Sequence, residues 1–83
     1  MSEIKANRIS LAQMQPGQRG KIIEISGGMG LAQKLEALGI RTGKEIKKIS
    51  GQLMRGPVLL QHNNTQAAVG FGIASKVLVE VNE

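Results

Sequence analysis

Cysteine, aspartate, tryptophan and tyrosine are all missing from this 83-residue chain, and phenylalanine and histidine occur once each, as Phe71 and His62. Without cysteine there is neither a disulfide nor a thiolate metal site, which fits a reducing compartment. With no Cys, no Asp and a single His, neither a Ser-His-Asp nor a Cys-His catalytic set can be assembled, and no enzymatic activity is expected. A transition-metal centre takes three or four ligands. His62 has no second histidine to join, and Glu24, Glu36, Glu45 and Glu80 show no ligand spacing. Neither a metal site nor a cofactor is expected, and the methionines are read as core filler. No apolar run approaches the roughly 20 residues of a membrane span, and the first residues lack the apolar stretch of a signal peptide. The expected location is cytoplasmic.

What is present is aliphatic and basic. Ile, Leu, Val, Ala and Met supply the apolar residues, a composition that favours strands, and Phe71 is assigned to the core with them. Eleven Lys or Arg stand against six acids, a net charge of +5 that suits an acidic partner. Most of the cations are scattered and read as solvated surface. The dense stretch is 41–48, with Arg41, Lys44, Lys47 and Lys48 around Glu45. Those four cations are the candidates for phosphate contact in a nucleic-acid-binding reading. Against that reading, a small barrel that binds single strands relies on aromatic stacking platforms, which this composition does not provide.

Two glycine-rich segments resemble nucleotide loops and fail on spacing. Gly39 to Gly43 leaves three residues between its glycines where a P-loop needs four, and Glu45 follows Lys44 where Ser or Thr should hold magnesium. Gly27-Gly28-Met29-Gly30 has Gln33 in place of the third glycine of a dinucleotide fingerprint. Asn63-Asn64-Thr65 matches a glycosylation sequon but reads as a hairpin turn.

Along the chain, residues 1–8 read as a flexible polar tail ahead of a single domain at 9–81. Ile9 to Met14 carries either a turn of helix or a short strand. Gln15-Pro16-Gly17-Gln18 has the chemistry of a type II turn. Arg19 to Ser26 is an isoleucine-rich strand ended by Gly27-Gly28. From Met29 to Leu38 the period changes to about 3.6, with Leu31, Leu35 and Leu38 on one face and Gln33, Lys34 and Glu36 opposite. Gly39 stands where a helix C′ residue belongs. Strands follow at Glu45–Ser50, Val58–His62 and Gln66–Phe71, then one helical turn at 72–76 and a last strand at Val77–Val81. About five strands and one real helix, joined by short connections, define a mainly β fold. An SH3-like small barrel of about five strands, with the helix inserted after its first long strand, removes the exposed sheet edges.

The order of these signals is itself distinctive. Ile9-Ser-Leu-Ala-Gln-Met-Gln-Pro-Gly17 opens the domain and Gly20-Lys-Ile-Ile-Glu-Ile-Ser-Gly-Gly28 follows. Leu31 to Ile46 contains the run Leu-x-x-Leu-Gly-Ile-x-x-Gly at 35–43, and Gly56-Pro-Val and a closing 69–81 complete the series. Over roughly 9–81 the chain resembles the FeoA core domain. The resemblance implies an SH3-like barrel without activity of its own. It also implies a partner, FeoB, the membrane ferrous-iron transporter whose cytosolic part binds GTP. Similar domains form the C-terminal module of DtxR-type metal-dependent repressors, so a metal-sensing regulatory module is the other reading beside a nucleic-acid-binding barrel. The partner surface is expected to combine the outer side of the helix (Gln33, Lys34, Ala37) with the basic turn (Arg41, Lys44), where the most distinctive motif meets the densest positive charge. Exposed strand edges leave self-association open.

Overall fold

The computed structural model describes residues 6–51 and 56–82. Six antiparallel strands form one sheet: β1 (Ala6–Ser10), β2 (Arg19–Ile25), β3 (Glu45–Gly51), β4 (Val58–His62), β5 (Thr65–Val69) and β6 (Val77–Asn82). Their order across the sheet is β1-β6-β2-β3-β4-β5. Helix α1 (Met29–Ala37) bridges β2 and β3, and the short α2 (Phe71–Ala74) bridges β5 and β6.

The sixth strand comes from the expected tail. Ala6, Asn7 and Arg8 pair with Asn82, Val81 and Glu80 of β6, continuing through Ile9 and Ser10. A polar strand at a sheet edge has little hydrophobic alternation to betray it, because one side of its backbone and much of its side-chain surface meet water. Residues 1–5 of that tail lie outside the described residues. The segment read as either strand or helical turn is both: β1 runs to Ser10, and a 3-10 turn follows at Leu11–Gln13. The Ser10 N–H donates to Gln13 Oε1 at 2.9 Å, holding the start of that turn.

Alternation builds the sheet. In β2, Arg19 and Lys21 point to water while Gly20 and Ile22 are buried. Gly20 has no room for a side chain: a Cβ there would lie 2.9 Å from Val81 Cγ1 and 3.3 Å from the Glu80 carbonyl oxygen. The register shifts between Ile22 and Glu24 in β2 and between Lys48 and Ser50 in β3. Such irregularities increase the local twist and let a small sheet coil over its own core. That core gathers Leu11, Met14, Ile22, Leu35, Ile40, Ile46, Val58, Leu60, Val69, Ala74, Val77, Val79 and Val81.

Three turns form as their residues demand. Gly17 takes φ +88°, and the Gln18 N–H donates to the Gln15 carbonyl at 2.9 Å. The β4–β5 hairpin is one residue tighter than its sequence suggests, with His62 opposite Thr65 and only Asn63-Asn64 between them. Asn63 adopts the left-handed φ of +53°. Gly43, at φ +90°, lets the Lys44 N–H reach the Arg41 carbonyl at 3.2 Å.

Two core assignments are corrected. Leu35 is buried and Leu31 half-buried, but Leu38 is 43% exposed because α1 stops one residue before it. Phe71 is 36% exposed at the first position of α2, where the buried residue is Ala74.

Candidate functional site

The run at 35–43 resolves into a helix cap. Leu38 is the C-cap and Gly39 the C′ residue at φ +87°. The Gly39 N–H donates to the Glu36 carbonyl and the Ile40 N–H to the Leu35 carbonyl, both at 2.9 Å. This double bonding is a Schellman motif, which satisfies carbonyls left over at a helix end. Leu35 and Ile40, on either side of the cap, are both in the core. The turn that follows is fastened to β2: the Gly43 N–H donates to the Ile22 carbonyl at 2.7 Å, and the Ile22 N–H to the Lys44 carbonyl at 2.9 Å. The end of α1 and the basic turn are therefore one rigid unit.

Gly39 is required for a second reason. A Cβ at this position would fall 2.0 Å from Nε2 of His62 and 2.7 Å from its Cε1. His62 follows Val58 and Leu60 in the inward alternation of β4, so its ring ends the core strip and lies edge-on against the Gly39 backbone. Among the described residues no group of three or more His, Cys, Asp or Glu could hold a metal ion.

On this frame Gln33, Lys34 and Ala37 are exposed along α1. Lys34 sits in the last turn of the helix, where a cation complements the helix dipole. Arg41 is exposed just beyond the cap, and its Nη1 lies 3.5 Å from Glu36 Oε2. Met29 (76% exposed) and Leu38 add apolar surface at the two ends of α1. Lys44 ends the turn that begins at Arg41. It lines an open cleft of about 440 Å³ with Arg19, Glu45, Ile46, Lys47, Gln61, His62 and Asn63, and Gln33, Lys34, Ala37 and Arg41 are not part of that lining.

Lys48 corrects the set of four cations offered for phosphate contact. It is 5% exposed, and its Nζ donates to the main-chain carbonyls of Met14 and, at 3.4 Å, Ala12. Burial pushes its pKa below the usual 10.5. Its main chain holds the same segment, accepting from the Gly17 N–H at 2.7 Å and donating to the Gln18 carbonyl at 2.9 Å. Lys48 is an anchor for residues 12–18 and is closed to any ligand.

The described residues present an exposed helix face and a basic cleft on a small antiparallel sheet domain. The chain belongs to the FeoA domain family, whose model matches residues 9–81, and that family is one of non-catalytic accessories of ferrous iron transport. A Methanocaldococcus jannaschii protein, named as a candidate Fe(2+) transport protein A, is 34% identical over 70 residues, covering 84% of this chain and 83% of the relative. The crystal structure of an iron uptake regulatory protein, FeoA, superposes with a TM-score of 0.85 at 31% identity, covering 90% of this chain and 99% of the other. The fold is accordingly the SH3-like FeoA fold. It recurs in a manganese-dependent transcriptional repressor at 16% identity, with a TM-score of 0.79 over 99% of this chain and 44% of the repressor. That last likeness is one of fold alone. Among the described residues no helix is long and apolar enough to cross a membrane.

Proposed function

We propose that this protein is a cytoplasmic accessory of ferrous iron uptake that docks on the cytosolic GTP-binding part of an FeoB-type transporter and modulates it. Family membership supports the transport system, and the relatives named for iron transport and iron uptake support the cargo. The observation that carries docking is the rigid cap of α1. Gln33, Lys34, Ala37 and Arg41 stand exposed on a helix whose end is fixed by its own Schellman bonds and by the 41–44 turn. A surface held in this way loses little conformational freedom on association, which favours binding.

The test is charge reversal. Lys34→Glu combined with Arg41→Glu is expected to weaken binding to the cytosolic part of FeoB by about tenfold or more, measured by calorimetry, while the free domain stays folded and loses only the few degrees that reversed charge at the end of α1 accounts for. Unchanged affinity in the double variant would remove this face from the docking surface. Absence of any binding by the unaltered domain, with and without guanine nucleotide, would remove the FeoB reading itself.

A further inference from the structure

The strand register sorts the surface charges into rows. Residues directly opposite on antiparallel strands share a face. One row reads Arg8, Glu80, Lys21 and Glu45 across β1, β6, β2 and β3, alternating in sign at every step. It neutralises itself. The next row on the same face reads Arg19, Lys47, Gln61 and Gln66 across β2, β3, β4 and β5. It contains two cations side by side and no acid. Lys44 joins Arg19 and Lys47 at the cleft, whose only acid is Glu45, already opposite Lys21 in the neutral row.

Two other cations of the dense 41–48 stretch are committed elsewhere. Arg41 is paired with Glu36, the one ion pair within 4.0 Å among the described residues, and Lys48 is buried on carbonyls. Arg19, Lys44 and Lys47 are thus a local excess of positive charge set in a concave surface. Like charges directly opposite on adjacent strands destabilise a sheet by a few tenths of a kcal/mol or more. An arrangement of that kind is relieved by a bound anion.

We propose that the cleft formed by Arg19, Lys44, Lys47 and Gln61 is a docking site for an acidic segment of a protein partner, separate from the α1 face. The geometry selects a chain over a single compact anion. The donors are strung across strands about 4.8 Å apart, so the row from Arg19 through Lys47 to Gln61 extends roughly 10 Å. An extended segment of about three residues, at about 3.3 Å each, matches that length. Gln61 already donates from Nε2 to the Asn63 carbonyl at 3.1 Å, which fixes its amide at the rim with one N–H still free.

The probe is a hexaglutamate peptide titrated into the isotopically labelled full chain at low salt, with hexaglutamine as the uncharged control. Saturable amide shifts are expected at residues 18–21, 44–48 and 61–66, absent with hexaglutamine. Arg19→Gln with Lys47→Gln should weaken hexaglutamate binding about tenfold, whereas Lys34→Gln with Arg41→Gln should change it less than about twofold. Melting curves of both double variants confirm that the fold is retained. Equal weakening by the two double variants, or shifts spread evenly over the surface, would overturn the proposal. Two further probes also decide against it: inorganic phosphate moving the same amides at lower concentration, or a short RNA displacing hexaglutamate more tightly than the peptide binds. Because the peptide assay contains no transporter, this outcome is independent of whether FeoB is the partner.

Discussion

Replacing Lys48 with methionine is expected to lower the stability of the domain by about 1–3 kcal/mol, although the side chain stays unbranched, is only one atom shorter and sheds a buried charge. Exchanging a buried ion pair for apolar residues is often harmless when both partners are replaced together. Here the partners are the main-chain carbonyls of Ala12 and Met14, which remain when the ammonium is gone. Left without their donor beneath a packed sheet, they carry a desolvation cost that methionine cannot offset. Urea titration read as a change in midpoint at constant slope measures the loss. A Lys48→Met protein as stable as the parent would show that the ammonium contributes nothing net.

The same lysine fixes a pH dependence. Its native pKa is depressed by burial, so between that value and 10.5 the unfolded chain binds more protons than the folded one. Stability then rises with pH across this window, as the native ammonium loses its proton first. Below the window both states are charged and the full burial cost is present. The deficit of Lys48→Met relative to the parent should therefore grow as pH climbs toward 10.5. A pH-independent difference would mean that Lys48 titrates alike in the two states.

The second large effect belongs to Gly39. Alanine at this position is expected to cost about 2–4 kcal/mol, combining roughly 1–2 for a left-handed backbone with overpacking against the imidazole. For a domain of this size each kcal/mol corresponds to about 4–8 °C in Tm. The two parts separate in a double-mutant cycle. In a His62→Ala background the ring is gone, and Gly39→Ala should cost only the backbone share, leaving a coupling of about 1–2 kcal/mol. Identical costs in both backgrounds would mean that the ring swings aside freely and the glycine is demanded by φ alone.

These two residues also show where sequence reading succeeds and fails. The stop of α1, the Pro16-Gly17 turn, the Asn63-Asn64 hairpin and the alternation of β6 are all legible because each is written in neighbouring residues. A glycine after a 3.6-residue period announces its own left-handed angle. It cannot announce the histidine 23 positions later that also forbids a side chain there. Lys48 was half legible: alternation from Ile46 turns it inward, yet a lysine in a basic stretch reads as surface until its two carbonyl partners, 36 and 34 residues back, are seen. The polar β1 carries no pattern of its own and is defined by the strand it pairs with. For the proposed surfaces, the exposure of Gln33, Lys34 and Ala37 follows from the helical period, and that of Arg41 from the turn that follows the Gly39 cap. The grouping of Arg19 with Lys47 follows only from register, which no local run of residues encodes.

The position of β6 in the sheet has a consequence for how the molecule is made. Of the six described strands it comes last in sequence but lies between β1 and β2, bonded to both. Until Val77 to Asn82 have left the ribosome, β1 has no neighbour and β2 lacks one of its two. Ile22 also misses its cross-strand partner, Val79. Synthesis can yield the α1 cap and the β3–β4–β5 meander early, but the core cannot close before the final strand joins the two ends of the domain. A nascent chain stalled before Val77 would be sensitive to protease through β1 and β2. Once the final strand is in place, Asn82 faces Ala6, and that adjacency makes a short loop between them a natural seam for circular permutation.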